Sequence, residues 1–216
     1  MKKILSNILA LILILTTLVG CLSSCGDIEY DEAEVKAAAE KLIPLSDELN
    51  NIYWGEGIAY SSDLSTSNGY YYEADTEDLK RYGIETIEDL KKKTKEVFSD
   101  AYSEIIFSTA LNSVSDEEGV YSYARYYQKY SDAFQKEPEA IMVYSKAMIL
   151  LTGEVRYLTD TITVLGAEKD IVYVTVDAEV TRENEKQMKN IKVGFALCDG
   201  GWKIDTPTYL SFDEKG

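Results

Sequence analysis

Ile171-Val172-Tyr173-Val174-Thr175-Val176-Asp177-Ala178-Glu179-Val180-Thr181 alternates small apolar side chains (Val172, Val174, Val176, Ala178, Val180) with polar or aromatic ones (Tyr173, Thr175, Asp177, Glu179). Successive side chains of an extended chain point to opposite faces, so this period of two gathers the valines on one side of a strand. One dry face and one wet face are what an antiparallel sheet covered on a single side requires. The neighbouring sequence follows the same rule. Residues 155–165 (VRYLTDTITVL) are β-branched and aromatic, Ile191, Val193, Phe195 and Leu197 alternate, and Asp199-Gly200-Gly201 turns the chain into a return strand with Trp202 and Ile204. These segments predict a four-strand antiparallel meander, to which residues 140–146 are a candidate fifth strand.

Upstream the period changes. Asp31 is placed to cap a helix reaching Tyr53, because Val35, Ala38, Ala39, Leu42, Leu45, Leu49, Ile52 and Tyr53 fall on one face at helical spacing. Pro44 lies inside it and is expected to kink or divide it, and Trp54-Gly55-Glu56-Gly57 ends it. The acidic Glu56 between two glycines argues against a phosphate loop there. Residues 58–76 read as a loop with a short strand around Tyr70–Tyr72. Thr86 with Asp89 is a capping-box variant opening a helix to Phe98, and Ser99 caps a second helix to Leu111 with Tyr102, Ile105, Ile106 and Ala110 as its stripe. The basic run Lys91, Lys92, Lys93, Lys95 sits among acids on the first of these helices and reads as a solvated face. The expected fold is therefore α+β, N-terminal helices followed by a four- to five-strand antiparallel meander, with residues 31–216 forming one domain.

The first residues read as an address. Lys2 and Lys3 precede the apolar run Ile8–Gly20, which is too short for an ordinary spanning helix and suits a signal-peptide core. Leu18-Val19-Gly20-Cys21 resembles a bacterial lipoprotein box, whose cysteine becomes the lipidated first residue. Leu22-Ser23-Ser24-Cys25 is the alternative. The expectation is a signal over 1–20, lipidation at Cys21 (alternatively Cys25), a tether over 21–30, and a body held at the outer face of the cytoplasmic membrane.

Charge and composition narrow the chemistry. The formal charge is −16, and loss of Lys2 and Lys3 with the signal makes the remaining chain more acidic still. Such a field repels nucleic acid and anionic lipid, leaving membrane affinity to the lipid chains, and it favours a basic partner. With no histidine in 216 residues, His-ligated zinc, Ser-His-Asp and Cys-His systems are all excluded. Asp116, Glu117 and Glu118 lack the spacing of a calcium loop. Cys198, in an apolar strand pattern, reads as a buried small hydrophobe with no activating cation beside it. Neither a metal, a cofactor nor a catalytic group is expected, and no enzyme.

Tyrosine is the residue in excess, 17 against 5 phenylalanines. Tyr123, Tyr126, Tyr127 and Tyr130 stand at i, i+3, i+4, i+7, which would stack them on one helix face, either as a binding surface or as packing with the hydroxyls at its margin. Tyr70, Tyr71 and Tyr72 are consecutive, so on a strand they cannot all face inward. The candidate partner-binding residues are thus Tyr70, Tyr71, Tyr72, Tyr123, Tyr126, Tyr127 and Tyr130.

Two resemblances follow from the order of these segments. Gly200-Gly201-Trp202-Lys203-Ile204-Asp205 resembles the last hairpin of NTF2-like domains in bacterial lipoproteins. That likeness implies a small-molecule pocket in a curved sheet, a reading that a lining of Tyr157, Tyr173 and Trp202 would favour. The second covers residues 70–205: Tyr70–Tyr72, then Ile87-Glu88-Asp89-Leu90-Lys91-Lys92 to Val97-Phe98-Ser99, a tyrosine-rich segment, and the hairpins at Ile171–Glu179 and Asn190–Asp205. It is similar to the D,L-endopeptidase inhibitors of Gram-positive cell walls, secreted proteins that block the cysteine peptidases cutting peptidoglycan stem peptides. What it implies is a non-catalytic binding protein acting on a wall peptidase, and the chain's acidity favours a basic one. The lipid anchor and the acidity are departures from that family, and they leave the target open.

Overall fold

The computed structural model describes residues 28–65, 70–115, 121–130, 139–151, 153–182 and 185–209. Cys21, Cys25, the signal segment and the acids Asp116–Glu118 lie outside them. Among the described residues four helices, α1 (Glu32–Trp54), α2 (Thr76–Tyr82), α3 (Ile87–Val97) and α4 (Asp100–Ala110), accompany ten strands. These are β1 (Tyr60–Ser65), β2 (Tyr71–Ala74), β3 (Val114–Ser115), β4 (Tyr121–Ser122), β5 (Tyr126–Lys129), β6 (Ala140–Tyr144), β7 (Glu154–Glu168), β8 (Ile171–Arg182), β9 (Glu185–Cys198) and β10 (Gly201–Ile204). The class is α+β with antiparallel strands. One four-stranded sheet has the order β10-β9-β8-β7, the other β1-β2-β6-β5, and β3 pairs with β4.

This differs from a simple run of helices and then a sheet. The first two strands fall between α1 and α2, and residues 140–144 do not extend the C-terminal sheet but join β2 and β5 in the other one. Tyr126–Lys129 is a strand, so the helical stripe expected for Tyr123–Tyr130 does not form. Tyrosine suits a pleated surface as well as a helix, and here the ladder with β6 decides: Tyr126 pairs with Val143 and Tyr127 with Met142.

The C-terminal sheet is a cradle for α1. Val172, Val174, Val176, Ala178, Ile191, Val193, Phe195, Trp202 and Ile204 form one core with α1's Val35, Ala39, Leu42, Ile43, Leu49, Ile52 and Tyr53. Asp31 caps α1 by accepting from the backbone N–H of Ala33. The helix then passes through Pro44 undivided. An interior proline costs about 3 kcal/mol. Burying even four of the large α1 side chains in this core, at about 1.5–3 kcal/mol each, outweighs it, and Pro44 itself lies on the exposed side. Leu45 is exposed rather than in the stripe, whereas Ser46 and Asn50 are buried. Their partner is Thr208: Ser46 Oγ lies 2.7 Å from Thr208 Oγ1, Asn50 Nδ2 donates to that hydroxyl at 2.8 Å, and Tyr157 OH donates to the Thr208 carbonyl at 2.9 Å. The chain after β10 is thereby fastened across the open side of the helix.

The two caps read from sequence form as expected. The Thr86 hydroxyl accepts from Asp89 N–H while the Asp89 carboxylate accepts from Thr86 N–H, and Ser99 Oγ accepts from Tyr102 N–H. Cys198 departs from its expected burial. Alternation turns Val193 and Phe195 inward and Cys198 outward at the hairpin end, where it is half-buried. Partial burial and the nearby carboxylates Asp100 and Asp205 push its thiol upward, away from nucleophilic chemistry.

Asp47, half-buried on α1 beside Glu154 and near Tyr157, has its carboxyl pushed up to about 6 by burial and by the Glu154 charge. A carboxyl raised in the folded state binds its proton more tightly there than in the unfolded chain, so its contribution to stability falls as pH rises through that value. Asp47→Asn is expected to stabilise the protein at pH 7 by about 1–2 kcal/mol after allowing for solvent screening. Urea unfolding at pH 7 and pH 4 checks this, because the advantage over wild type should vanish at the lower pH.

Candidate functional site

The sheet β1-β2-β6-β5 has two unlike faces, and register assigns each tyrosine to one of them. Tyr71 stands opposite Tyr144, and Glu73 opposite Met142, which in turn pairs with Tyr127. Tyr72 stands opposite Val143 and so shares the other face with Tyr126 and Ile141. The inner face joins the core around α1 through Tyr126, Ile141 and Val143. The outer face carries a second, aromatic cluster.

Tyr71 is its centre. Its ring meets Tyr127 at 4.8 Å edge-on, Tyr144 at 5.3 Å and Tyr123 at 6.3 Å. Tyr123 stacks on Tyr144 at 4.9 Å, and Tyr70 closes the group at 6.1 Å from Tyr123 and 6.4 Å from Tyr144. The Tyr71 hydroxyl donates to the Ala124 carbonyl at 2.7 Å. Burial, then the neighbouring Tyr127, pushes that phenol up to about 12, so it stays a neutral donor. Around this buried pivot Tyr123 is 42% exposed, and Tyr70, Tyr127 and Tyr144 are half-buried. Lys146 Nζ sits 4.2 Å from the centre of the Tyr70 ring, and Lys129 pairs with Glu73 at 3.5 Å on the same face. Edge-on and offset rings at these distances hold one another in place. The result is a set of aromatic surfaces that brace one another.

Of the seven tyrosines singled out from sequence, four converge here: Tyr70, Tyr71, Tyr123 and Tyr127. Tyr72 points to the opposite face and stacks on Tyr60 at 5.1 Å. Tyr126 is fully buried, and Tyr130, 76% exposed, stands apart at a groove of about 1150 Å³ between α3, α4 and β5. Tyr144 and Lys146 escape the sequence reading, although alternation in Ile141-Met142-Val143-Tyr144 places Tyr144 opposite in phase to the buried Val143. The groove's cations are largely matched within the chain: Lys91 pairs with Glu88 at 2.7 Å, and Lys95 with Asp100 at 3.0 Å and Glu104 at 3.4 Å. Three of the four lysines form ion pairs, Lys93 with Glu48 at 3.2 Å completing the set, so the basic run is a solvated, paired face.

Arg125, which no sequence pattern flags, sets the position of this surface. Its guanidinium donates to the Tyr53 carbonyl at 3.0 Å, the Gly55 carbonyl at 2.6 Å and the Tyr126 hydroxyl at 3.1 Å. That hydroxyl donates to the Ile52 carbonyl at 2.7 Å and accepts from Ile58 N–H at 3.1 Å. A cation at the carbonyl end of a helix satisfies orphan acceptors and meets the negative pole of the dipole. Gly57, at φ 81°, lets the chain pass: a Cβ there would lie 2.4 Å from both the Arg125 guanidinium and the Tyr126 oxygen. The Gly55-Glu56-Gly57 segment is thus a helix stop, as its acidity indicated.

Tyr157, Tyr173 and Trp202, whose convergence would favour a pocket in the sheet, do not converge. Trp202 is buried in the core beneath α1, while Tyr173 projects from the opposite face of the sheet under Lys192, whose Nζ lies 3.7 Å from the ring centre. Tyr157 is spent on the Thr208 carbonyl. Among the described residues no group of His, Cys, Asp and Glu is placed to hold a metal, and no helix is long and apolar enough to cross a membrane. No protein-family model and no curated protein matches the chain.

Replacing Arg125 by Met is expected to destabilise the fold by about 3 kcal/mol or more, since it strands buried helix-end carbonyls. Tyr126→Phe, which removes one hydroxyl from the same network, should cost about 1–3 kcal/mol. Urea midpoints at unchanged slope give both values.

Proposed function

We propose that this chain is a non-enzymatic binding protein, lipid-anchored through Cys21 (alternatively Cys25) at the outer face of the bacterial cytoplasmic membrane, and that the outer tyrosine surface of the β1-β2-β6-β5 sheet is where it grips a protein partner. The observation that carries this reading is the contiguous cluster of Tyr70, Tyr71, Tyr123, Tyr127 and Tyr144, braced by ring contacts and by the Tyr71–Ala124 hydrogen bond. Pre-ordered aromatic side chains bury much area on binding while losing little conformational freedom. Tyrosine also tolerates a half-wet resting state, which an exposed phenylalanine cluster would not.

The formal charge of −16 selects the kind of partner. Opposite charge speeds encounter and disfavours acidic competitors, and its effect weakens as salt shortens the Debye length. The partner this favours is a basic protein of the wall, and the similarity to D,L-endopeptidase inhibitors names a class: a peptidase that cuts peptidoglycan stem peptides. Restraint of such an enzyme requires only that a stable surface occupy its cleft, which needs no catalytic group.

The test is inhibition. The body, residues 26–216, is titrated against purified basic D,L-endopeptidases while peptidoglycan turnover is read at low and at high salt. Dose-dependent inhibition that weakens at the higher salt is expected, and Tyr70→Ser with Tyr123→Ser should weaken it by about tenfold or more at unchanged thermal stability, matching the loss of two aromatic contacts of about 1 kcal/mol each. Full turnover by every peptidase at the highest inhibitor concentration would sink the peptidase reading.

A further inference from the structure

We propose that the β6–β7 loop, residues 145–151, is a projecting apolar tip that inserts into a cleft of a basic protein partner, with the tyrosine surface as its shoulder. This rests on the anchored-binder reading above but not on the partner being a peptidase. Met148 and Ile149 are 75% and 47% exposed at adjacent positions, and the loop that carries them is the direct continuation of Tyr144. Single exposed apolar residues need no explanation, but two together beside an aromatic cluster make a patch.

The loop is pinned at both ends of its base. Ser145 donates to the Tyr70 carbonyl through its N–H at 2.9 Å and through its hydroxyl at 3.0 Å. Ala147 N–H donates to the Tyr144 carbonyl at 3.2 Å, while Leu150 and Leu151 N–H both donate to the Trp54 carbonyl, at 2.7 and 3.0 Å. Lys146 is held over the Tyr70 ring. Among the described residues, none makes a backbone hydrogen bond to Met148 or Ile149. The tip is therefore presented on a fixed base, and little ordering remains to be done on binding.

Position decides between a protein and a lipid surface as the occupant. Ile28 N–H donates to the Lys169 carbonyl, so the end of the chain that continues toward Cys21 lies at the β7–β8 turn. From there α1 runs 23 residues to Trp54, the residue that holds the loop. At 1.5 Å per residue the two ends of that helix are about 35 Å apart. The tip therefore lies about one helix length from the end that leads toward Cys21, which makes a lipid surface at that end a poor occupant. A second copy of the chain is a poor occupant, since both carry the same −16 charge. A basic protein is favoured by that charge, and a thioether beside a branched aliphatic side chain suits an apolar cleft.

The full lipidated chain is produced in Gram-positive cells with a photoreactive amino acid replacing Met148 or, as the control, Met188, which is also exposed (58%) but lies on β9. Irradiation is expected to give a protein adduct at position 148 and not at 188, with a strongly basic partner once identified by mass spectrometry. The purified partner should then bind the M148S/I149S double variant about tenfold or more weakly than wild type, with thermal stability unchanged, as burial of two such side chains implies. Lipid adducts at 148, equal adducts at both positions, no adduct, or unchanged affinity of the double variant would overturn the proposal. A basic partner without peptidase activity would leave the tip in place and remove the peptidase reading instead.

Discussion

A buried guanidinium at the end of one helix organises this molecule. Arg125 is 7% exposed and reaches three elements through different atoms. Its side chain closes the carbonyl end of α1 at Tyr53 and Gly55, its N–H donates to the Ala110 carbonyl at the end of α4, and its own carbonyl accepts from Tyr144 N–H in β6. Among the described residues no carboxylate pairs with it. The charge is instead balanced by helix-end carbonyls, which carry the partial negative charge of the helix dipole. A buried cation is expensive unless its donors find acceptors, so this arrangement tolerates little displacement and fixes how the β1-β2-β6-β5 sheet meets the ends of α1 and α4.

From that constraint a division of labour follows. The cradle of β7–β10 spends its apolar face on α1, with Trp202 buried beneath the helix and Tyr173 on the opposite face. The smaller sheet spends only its inner face on the core. Its outer face, offset by one residue along each strand, keeps Tyr71, Tyr127 and Tyr144 together with Tyr123 and Tyr70. Because Arg125, Tyr126 and the Trp54 carbonyl tie this sheet and its β6–β7 loop to the far end of α1, the aromatic surface is displayed at one end of that helix, while Ile28, bonded to the Lys169 carbonyl, lies at the other.

Much of the architecture was legible in local pattern. Period two in residues 171–181 and 191–195, the Asp31, Thr86 and Ser99 caps, and the stop at Gly55 are decided within a few residues, and each forms as read, whereas Leu197, in phase with Phe195, is exposed at the hairpin end. The failures share one cause. Tyr123, Tyr126, Tyr127 and Tyr130 satisfy a helical spacing, but residues 126–129 are a strand because β6, further along the chain, offers a ladder. Residues 140–144 were legible as a strand but not as a member of the other sheet, since partner choice is tertiary. Arg125 carries no periodic signature at all: its value lies in the carbonyls of Tyr53 and Gly55, far away in sequence. Ser46 and Asn50 were invisible for the same reason, being polar residues on a buried face that Thr208 makes tolerable.

The central claim, that the outer tyrosine surface and not the core or the groove is the recognition site, can be read ring by ring. Tyrosine-ring NMR of the body, with selective labelling and titration with a purified basic wall peptidase, reports which rings meet the partner. The account predicts that resonances of Tyr70, Tyr123 and Tyr144 shift or broaden while those of Tyr53, Tyr102 and Tyr157 stay in place. Perturbation confined to Tyr130 at the groove, or to Tyr173 on the far sheet, would contradict it.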